Sequence, residues 1–173
     1  MEKTKYDAAV QMLLDKQEIN EQLVRYTRAC DRVDEAALRA VFFADATVQY
    51  SGFKGAVAAG FFDWLLGLIK SMQTTVHMIS NVLIEVEGDR AYVETYLLSY
   101  KRMTREGKEY DRMLGGRYVD RFERRDGAWK IANRQIVFEW NRNDPPSGSW
   151  TLSHAATDML VGRRWPEDTI YKR

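Results

Sequence analysis

Apolar positions in the first third of the chain recur at helical steps. Val10, Leu13 and Leu14 make one stripe, and Ile19, Leu23, Tyr26 and Cys30 make a second at intervals of four, three and four. Between them, Asp15-Lys16-Gln17-Glu18 has the form of a capping box, which predicts a break or bend near Asp15. Asp34 is a good N-cap for a further helix that buries Leu38, Val41 and Phe42 and stops at Asp45-Ala46. Thr47 to Tyr50 then reads as a short strand before the turn Ser51-Gly52, and Gly55 to Ile69 as a helix that is apolar on nearly every side. After Ser71 the period falls to two. Val76 to Glu87, Ala91 to Met103, Leu114 to Arg124 and Trp129 to Trp140 are four long strands, with hairpin turns at Glu87-Gly88-Asp89-Arg90 and Arg125-Asp126-Gly127-Ala128.

Helices first and a meander afterwards is an α+β order, not the alternation of a doubly wound sheet. Strands of this length must coil, so the sheet, mixed or antiparallel, is expected to wrap on the N-terminal helices as a cone with an open mouth. Asn143-Asp144-Pro145-Pro146-Ser147-Gly148 signals a loop, and residues 141–173 are expected to form a tail over that mouth. The 173 residues suit a single domain spanning 1–173.

Composition narrows the function. A formal charge of +1 with basic and acidic residues interspersed offers no footprint for nucleic acid. The longest apolar run is interrupted by Asp63 and too short for a bilayer, and no apolar leader follows Met1, so no membrane partner and a cytoplasmic location are expected. One cysteine allows no internal disulfide. Aromatics at 12% against three prolines must either fill a core or wall a ligand cavity. Metal spacings, glycine-rich phosphate loops and nucleophile elbows are missing from the sequence; Gly115-Gly116 is the nearest approach to a glycine loop.

Few residues remain for chemistry. His77 opens the first long strand, and His154 lies in the tail beside Ser153, where a surface position is expected. Asp31 ends the second helical stripe at the negative end of the helix dipole, an unfavourable place unless a partner compensates; the bland alternative is a turn residue pairing with Arg28 or Arg32. Arg117 and Arg134 lie inside strands, where arginines usually decorate a solvated face but could also point inward as fixed cations.

These residues, together with the run Tyr118-Val119-Asp120-Arg121-Phe122-Glu123-Arg124-Arg125-Asp126-Gly127-Ala128-Trp129-Lys130-Ile131 leading to Arg134, resemble the SnoaL-like branch of the nuclear-transport-factor-2-like superfamily over roughly residues 6–140. That branch includes dehydratases, a dehydrochlorinase, polyketide cyclases and cofactor-free lyases acting on lignin-derived diaryl compounds. The resemblance implies a cone-shaped α+β barrel assembled as a homodimer or homotrimer, with no cofactor or metal. It places a general base on His77, its aspartate on Asp31, a hydroxyl donor on Tyr26 and a cavity arginine on Arg134. The substrate-binding walls would come from Tyr50, Trp64, Tyr100, Lys101, Arg117, Phe138 and Trp140. Where several dehydratases carry a further histidine, this chain reads Ser99-Tyr100-Lys101-Arg102. The implied activity is a lyase on a hydrophobic hydroxylated small molecule, aromatic or steroid-like, by loss of water or of a carbon fragment such as formaldehyde. An isomerase or cyclase, or a non-catalytic ligand-binding module, would use the same architecture.

Overall fold

The computed structural model describes residues 5–146 and 160–172. Helix α1 (Lys5–Arg32) is followed by a short α2 (Glu35–Ala40), strands β1 (Phe42–Tyr50) and β2 (Phe53–Ala56), a 3-10 turn, and α3 (Phe61–Lys70). Four long strands complete the fold: β3 (Thr74–Glu87), β4 (Arg90–Arg105), β5 (Lys108–Arg125) and β6 (Ala128–Asp144). All six strands form one curled, open sheet in the order β2-β1-β6-β5-β4-β3. It is mixed, because β1 runs parallel to β6 while the other neighbours are antiparallel.

Local chemistry explains the turns and the curl. Glu106 and Gly107 (φ 53° and 74°) and Asp126 and Gly127 (φ 52° and 80°) supply the paired positive φ values of tight two-residue hairpins. Asn81 (φ 47°) marks a register shift between Ser80 and Leu83 of β3, and two further shifts interrupt the β5–β6 ladder. Such irregularities bend long strands, here around α1. Ile19, Leu23, Tyr26 and Ala29 of α1 are buried with Tyr118, Phe122, Trp129 and Ile131 of the sheet. Each large side chain so enclosed contributes about 1.5–3 kcal/mol of transfer free energy.

Helix α1 is continuous through Asp15, against the expected break. The Asp15 carboxylate is buried and serves the sheet instead of capping a helix: it accepts from Trp129 Nε1 (3.1 Å) and Arg124 Nη1 (2.8 Å), while Glu18 accepts the Trp129 backbone N–H (3.0 Å). Arg124 also reaches Asp89 and the Gly88 carbonyl, so both hairpin tips gather at this narrow end. Beyond that level Met12, Leu13 and Leu14 remain exposed.

Other boundaries move too. The helix capped by Asp34 ends at Ala40, and Phe42 to Ala46 join β1 because they pair with or lead into β6. Gly55 and Ala56 belong to β2, so the apolar helix starts at Phe61. Asn141 to Asp144 extend β6 by pairing with Asp111 to Leu114 and are not loop. Residues 147–159 of the expected mouth-covering tail, His154 included, lie outside the described residues. The piece 160–172 packs on the ends of α1 and α3, with Trp165 N–H donating to the Arg32 carbonyl (2.6 Å) and Arg164 to the Met72 carbonyl (2.6 Å). Among the described residues no helix is long and apolar enough to cross a membrane.

Candidate active site

The end of α1 fixes the acid. Val33 takes a left-handed φ of 55°, its N–H returns to the Cys30 carbonyl and that of Asp34 to the Ala29 carbonyl, the paired closure that stops a helix. Asp31 is thereby held against β3, where its unfavourable position on the helix dipole is compensated twice. Oδ2 accepts the backbone N–H of His77 (2.9 Å), and Oδ1 lies 2.6 Å from His77 Nδ1. Both side chains retain 13% exposure. The contact to Nδ1 assigns the proton to that nitrogen and leaves Nε2, which has no partner among the described residues, as the basic position.

The imidazole borders a cavity of about 270 Å³. Tyr26, Tyr50, Trp64 and Tyr118 provide aromatic wall; Leu65, Leu68, Ile69, Met72, Leu97, Leu114 and Ile136 provide aliphatic wall. The remaining aromatics answer the core-or-cavity question for themselves: Phe42, Phe61 and Phe62 meet edge-on or tilted at 5.3–5.8 Å inside the core, and Phe122 and Trp129 have no exposure.

Tyr26 and Tyr50 meet hydroxyl to hydroxyl at 2.8 Å on the cavity wall. Burial pushes both phenols above their ordinary range, so they act as neutral donors and not as phenolates. Burial likewise pushes the Cys30 thiol up to about 12, which leaves it an inert part of the lining.

Arg134 occupies a different place from the one expected of it. Its guanidinium lies behind the wall, 4.2 Å from the Tyr26 ring centroid and 4.1 Å from that of Tyr118, and grips Asp120 through two bonds of 2.8 and 2.6 Å. It does not line the cavity, and it therefore holds the aromatic wall in place instead of facing a ligand. Lys101 does line the cavity, as do Tyr50 and Trp64. Arg117 is clamped by Glu94 and Glu139 away from it. Tyr100, whose neighbour on the ladder face is the Arg102–Asp111 pair, also lies outside it, and Phe138 and Trp140 are exposed.

Several lining groups escape the sequence reading: Thr75, Ser99, Arg112 and Tyr118. Strand pairing arranges three of them in rows. His77 stands opposite Ser99, and Ser99 opposite Leu114; two residues along, Thr75 stands opposite Lys101, and Lys101 opposite Arg112. The hydroxyls of Thr75 and Ser99 and the Nε of Arg112 are buried without a hydrogen-bond partner among the described residues. Among the described residues no group of three or more acidic, histidine or cysteine side chains is placed to hold a metal ion.

Comparison with known proteins agrees with this architecture. A scytalone dehydratase-like protein from Novosphingobium aromaticivorans is 26% identical, with a TM-score of 0.69 over 82% of this chain and 98% of its own. A type 2 hexachlorocyclohexane dehydrochlorinase, 19% identical, superposes with a TM-score of 0.72 over 82% of this chain and 99% of its own. A type 3 hexachlorocyclohexane dehydrochlorinase from Novosphingobium barchaimii, 17% identical, gives 0.71 over 78% and 93%. The last two likenesses concern the fold alone. No curated protein matches. The family model for the SnoaL-like domain matches residues 11–135, a stretch that contains most of α1, the dyad and most of the sheet, and on that match the chain belongs to the SnoaL-like family.

Proposed function

We propose that this protein is a cofactor-independent lyase acting on a mid-sized, hydrophobic, hydroxylated small molecule, aromatic or steroid-like, with His77 as general base. The observation that carries the reading is the 2.6 Å contact between Asp31 Oδ1 and His77 Nδ1 beside an apolar cavity. Asp31 fixes the tautomer and stabilises the imidazolium formed when Nε2 takes a substrate proton, an arrangement that supplies on the order of 10²–10⁴ in rate. Tyr26 and Tyr50 supply hydroxyl donors for the oxygen on which negative charge develops. Removal of a C–H proton forms a double bond as a neighbouring hydroxyl leaves as water. Removal of an alcohol O–H proton instead forms the carbonyl of formaldehyde as the carbon–carbon bond breaks, its electron pair passing to the aryl-bearing carbon, which takes back a proton from the His77 imidazolium. The dehydratase name of the 26%-identical structural neighbour supports elimination chemistry.

The reading includes self-association. Tyr92, Tyr96, Val119 and Trp140 stand exposed on the sheet, and a second or third copy of the chain would cover such a surface. The test of function is a screen of hydroxylated aryl and steroid compounds read by product mass. A product lighter by water or formaldehyde, whose formation stops in His77→Gln, supports the lyase. A product of unchanged mass, or full turnover in His77→Gln, overturns it.

A further inference from the structure

The cavity holds two cations to which no acidic side chain among the described residues is bonded. Lys101 and Arg112 stand opposite each other on β4 and β5, both line the cavity, and among the described residues neither forms a salt bridge or side-chain hydrogen bond. Most other strand arginines are matched, Arg134 by Asp120, Arg102 by Asp111, Arg117 by Glu94 and Glu139, and Arg125 by Asp45 and Glu123; Arg90, exposed at the start of β4, forms no salt bridge among the described residues but faces no cavity. Thr75 completes the row from β3, 3% exposed and with its hydroxyl unpartnered. A buried donor left unmade costs about 1–3 kcal/mol, so the two in this row, Thr75 Oγ1 and Arg112 Nε, beside the Lys101 ammonium, mark a place built for an acceptor from outside the chain.

We infer that Thr75, Lys101 and Arg112 form an anion subsite that binds a carboxylate of the substrate, and that Arg112 is a specificity-determining residue for it. This rests on the general-base reading above, since it describes the far end of the same cavity. Charge supports an anion: Lys101 and Arg112 line the cavity and, among the described residues, no acidic side chain does. Geometry sets the span. The subsite row is two residues along the strands from the His77–Ser99 row, roughly 7 Å at about 3.4 Å per residue. A carboxylate and a reacting carbon at the two para positions of a benzene ring meet that separation, so the substrate class becomes an aryl acid carrying a hydroxylated side chain opposite its carboxylate. Burial and the neighbouring Arg112 both hold Lys101 below the ordinary lysine range, the cost of keeping two like charges together until an anion arrives.

The test is calorimetric binding of 4-ethylbenzoate and its neutral isostere 4-ethylbenzamide to the whole protein. Both wild type and His77→Gln are used, so that binding is measured with and without the base. The acid should bind at least about tenfold more tightly than the amide in both proteins, with the preference shrinking as salt is added. Lys101→Met and Arg112→Met should each reduce it, and the milder Arg112→Gln, which keeps a polar side chain, should reduce it as well. Equal affinity for acid and amide in the wild type, or an acid preference that survives both Lys101→Met and Arg112→Met, overturns the subsite. Neither outcome touches the base. Conversely, acid preference alongside undiminished turnover in His77→Gln would remove the base and keep the subsite.

Discussion

Removing Asp120 strands the most enclosed charge in the molecule. Arg134 and Asp120 both have 0% side-chain exposure, and the guanidinium donates to both carboxylate oxygens at 2.8 and 2.6 Å. Asp120→Ala leaves Arg134 with the ring faces of Tyr26, Tyr118 and Phe42, at 4.2, 4.1 and 5.9 Å, and with Nη1 already unpartnered among the described residues. Ring-face attraction of a desolvated cation is worth about 2 kcal/mol or more, and it exists already in the intact protein, so it cannot replace the lost partner. Breaking a buried pair in this way costs about 3–5 kcal/mol, a large share of the roughly 5–15 kcal/mol that typically separates folded from unfolded chains. With a urea dependence of about 1–3 kcal/mol per molar, the unfolding midpoint should fall by about 1–5 M. The double replacement Asp120→Leu with Arg134→Met removes the stranded charge and should recover most of the loss, since an apolar pair of similar volume is often no worse than an ion pair. Equilibrium urea unfolding followed by tryptophan fluorescence measures all three proteins. If Asp120→Ala costs less than about 1 kcal/mol, or if the double replacement is worse than the single one, the view of this pair as a closed internal anchor is wrong.

Other consequences are open to direct measurement. Asp31→Asn offers an amide where His77 needs an acceptor, and should lower turnover on an identified substrate by about 10²–10⁴ while ligand affinity stays within a few fold, read as a split between kcat and KM. Affinity for 4-ethylbenzoate should decline as pH rises through a range below that of ordinary lysines, because Lys101 sheds its charge early, with Cys30 and Asp31 of α1, His77 of β3 and Arg112 of β5 as the groups around it; affinity for the amide should stay flat. Gly116→Ala places a Cβ 2.5 Å from the Val137 carbonyl oxygen at the β5–β6 register shift and should cost about 1–3 kcal/mol in the same urea assay. Alkylation of Cys30 by iodoacetamide should be undetectable in the folded protein and rapid in urea, since burial holds the thiol protonated.

How much of this was legible beforehand follows from the range of the interactions involved. The second apolar stripe of α1, the cap at Asp34 and the strand-forming runs are local patterns, and they gave the α+β order and five of the strands. Asp15 looked like a cap because its neighbours in sequence fit one; its true partners, Trp129 and Arg124, are more than a hundred residues away. Arg134 looked like a cavity cation because nothing in the strand pattern reveals that Asp120 lies opposite it on β5. Arg112 went unremarked for a simpler reason. The third long strand was expected to begin at Leu114, whereas the Glu106-Gly107 turn starts it at Lys108, and only that extension puts Arg112 opposite Lys101. The placement of Asp31 against His77 came from the family resemblance, not from spacing, since 46 residues separate the two.

The backbone bond from His77 to Asp31 carries an implication unrelated to proton transfer. β3 ends the strand order, so the amide of His77 points away from β4 into the position where another polypeptide could add itself to the ladder. The carboxylate of Asp31 occupies that opening and removes one rung from any such template. A chain altered at Asp31 would thus lose a guard against edge-to-edge stacking together with its imidazole brace, and turbidity during storage would report the first loss independently of the second.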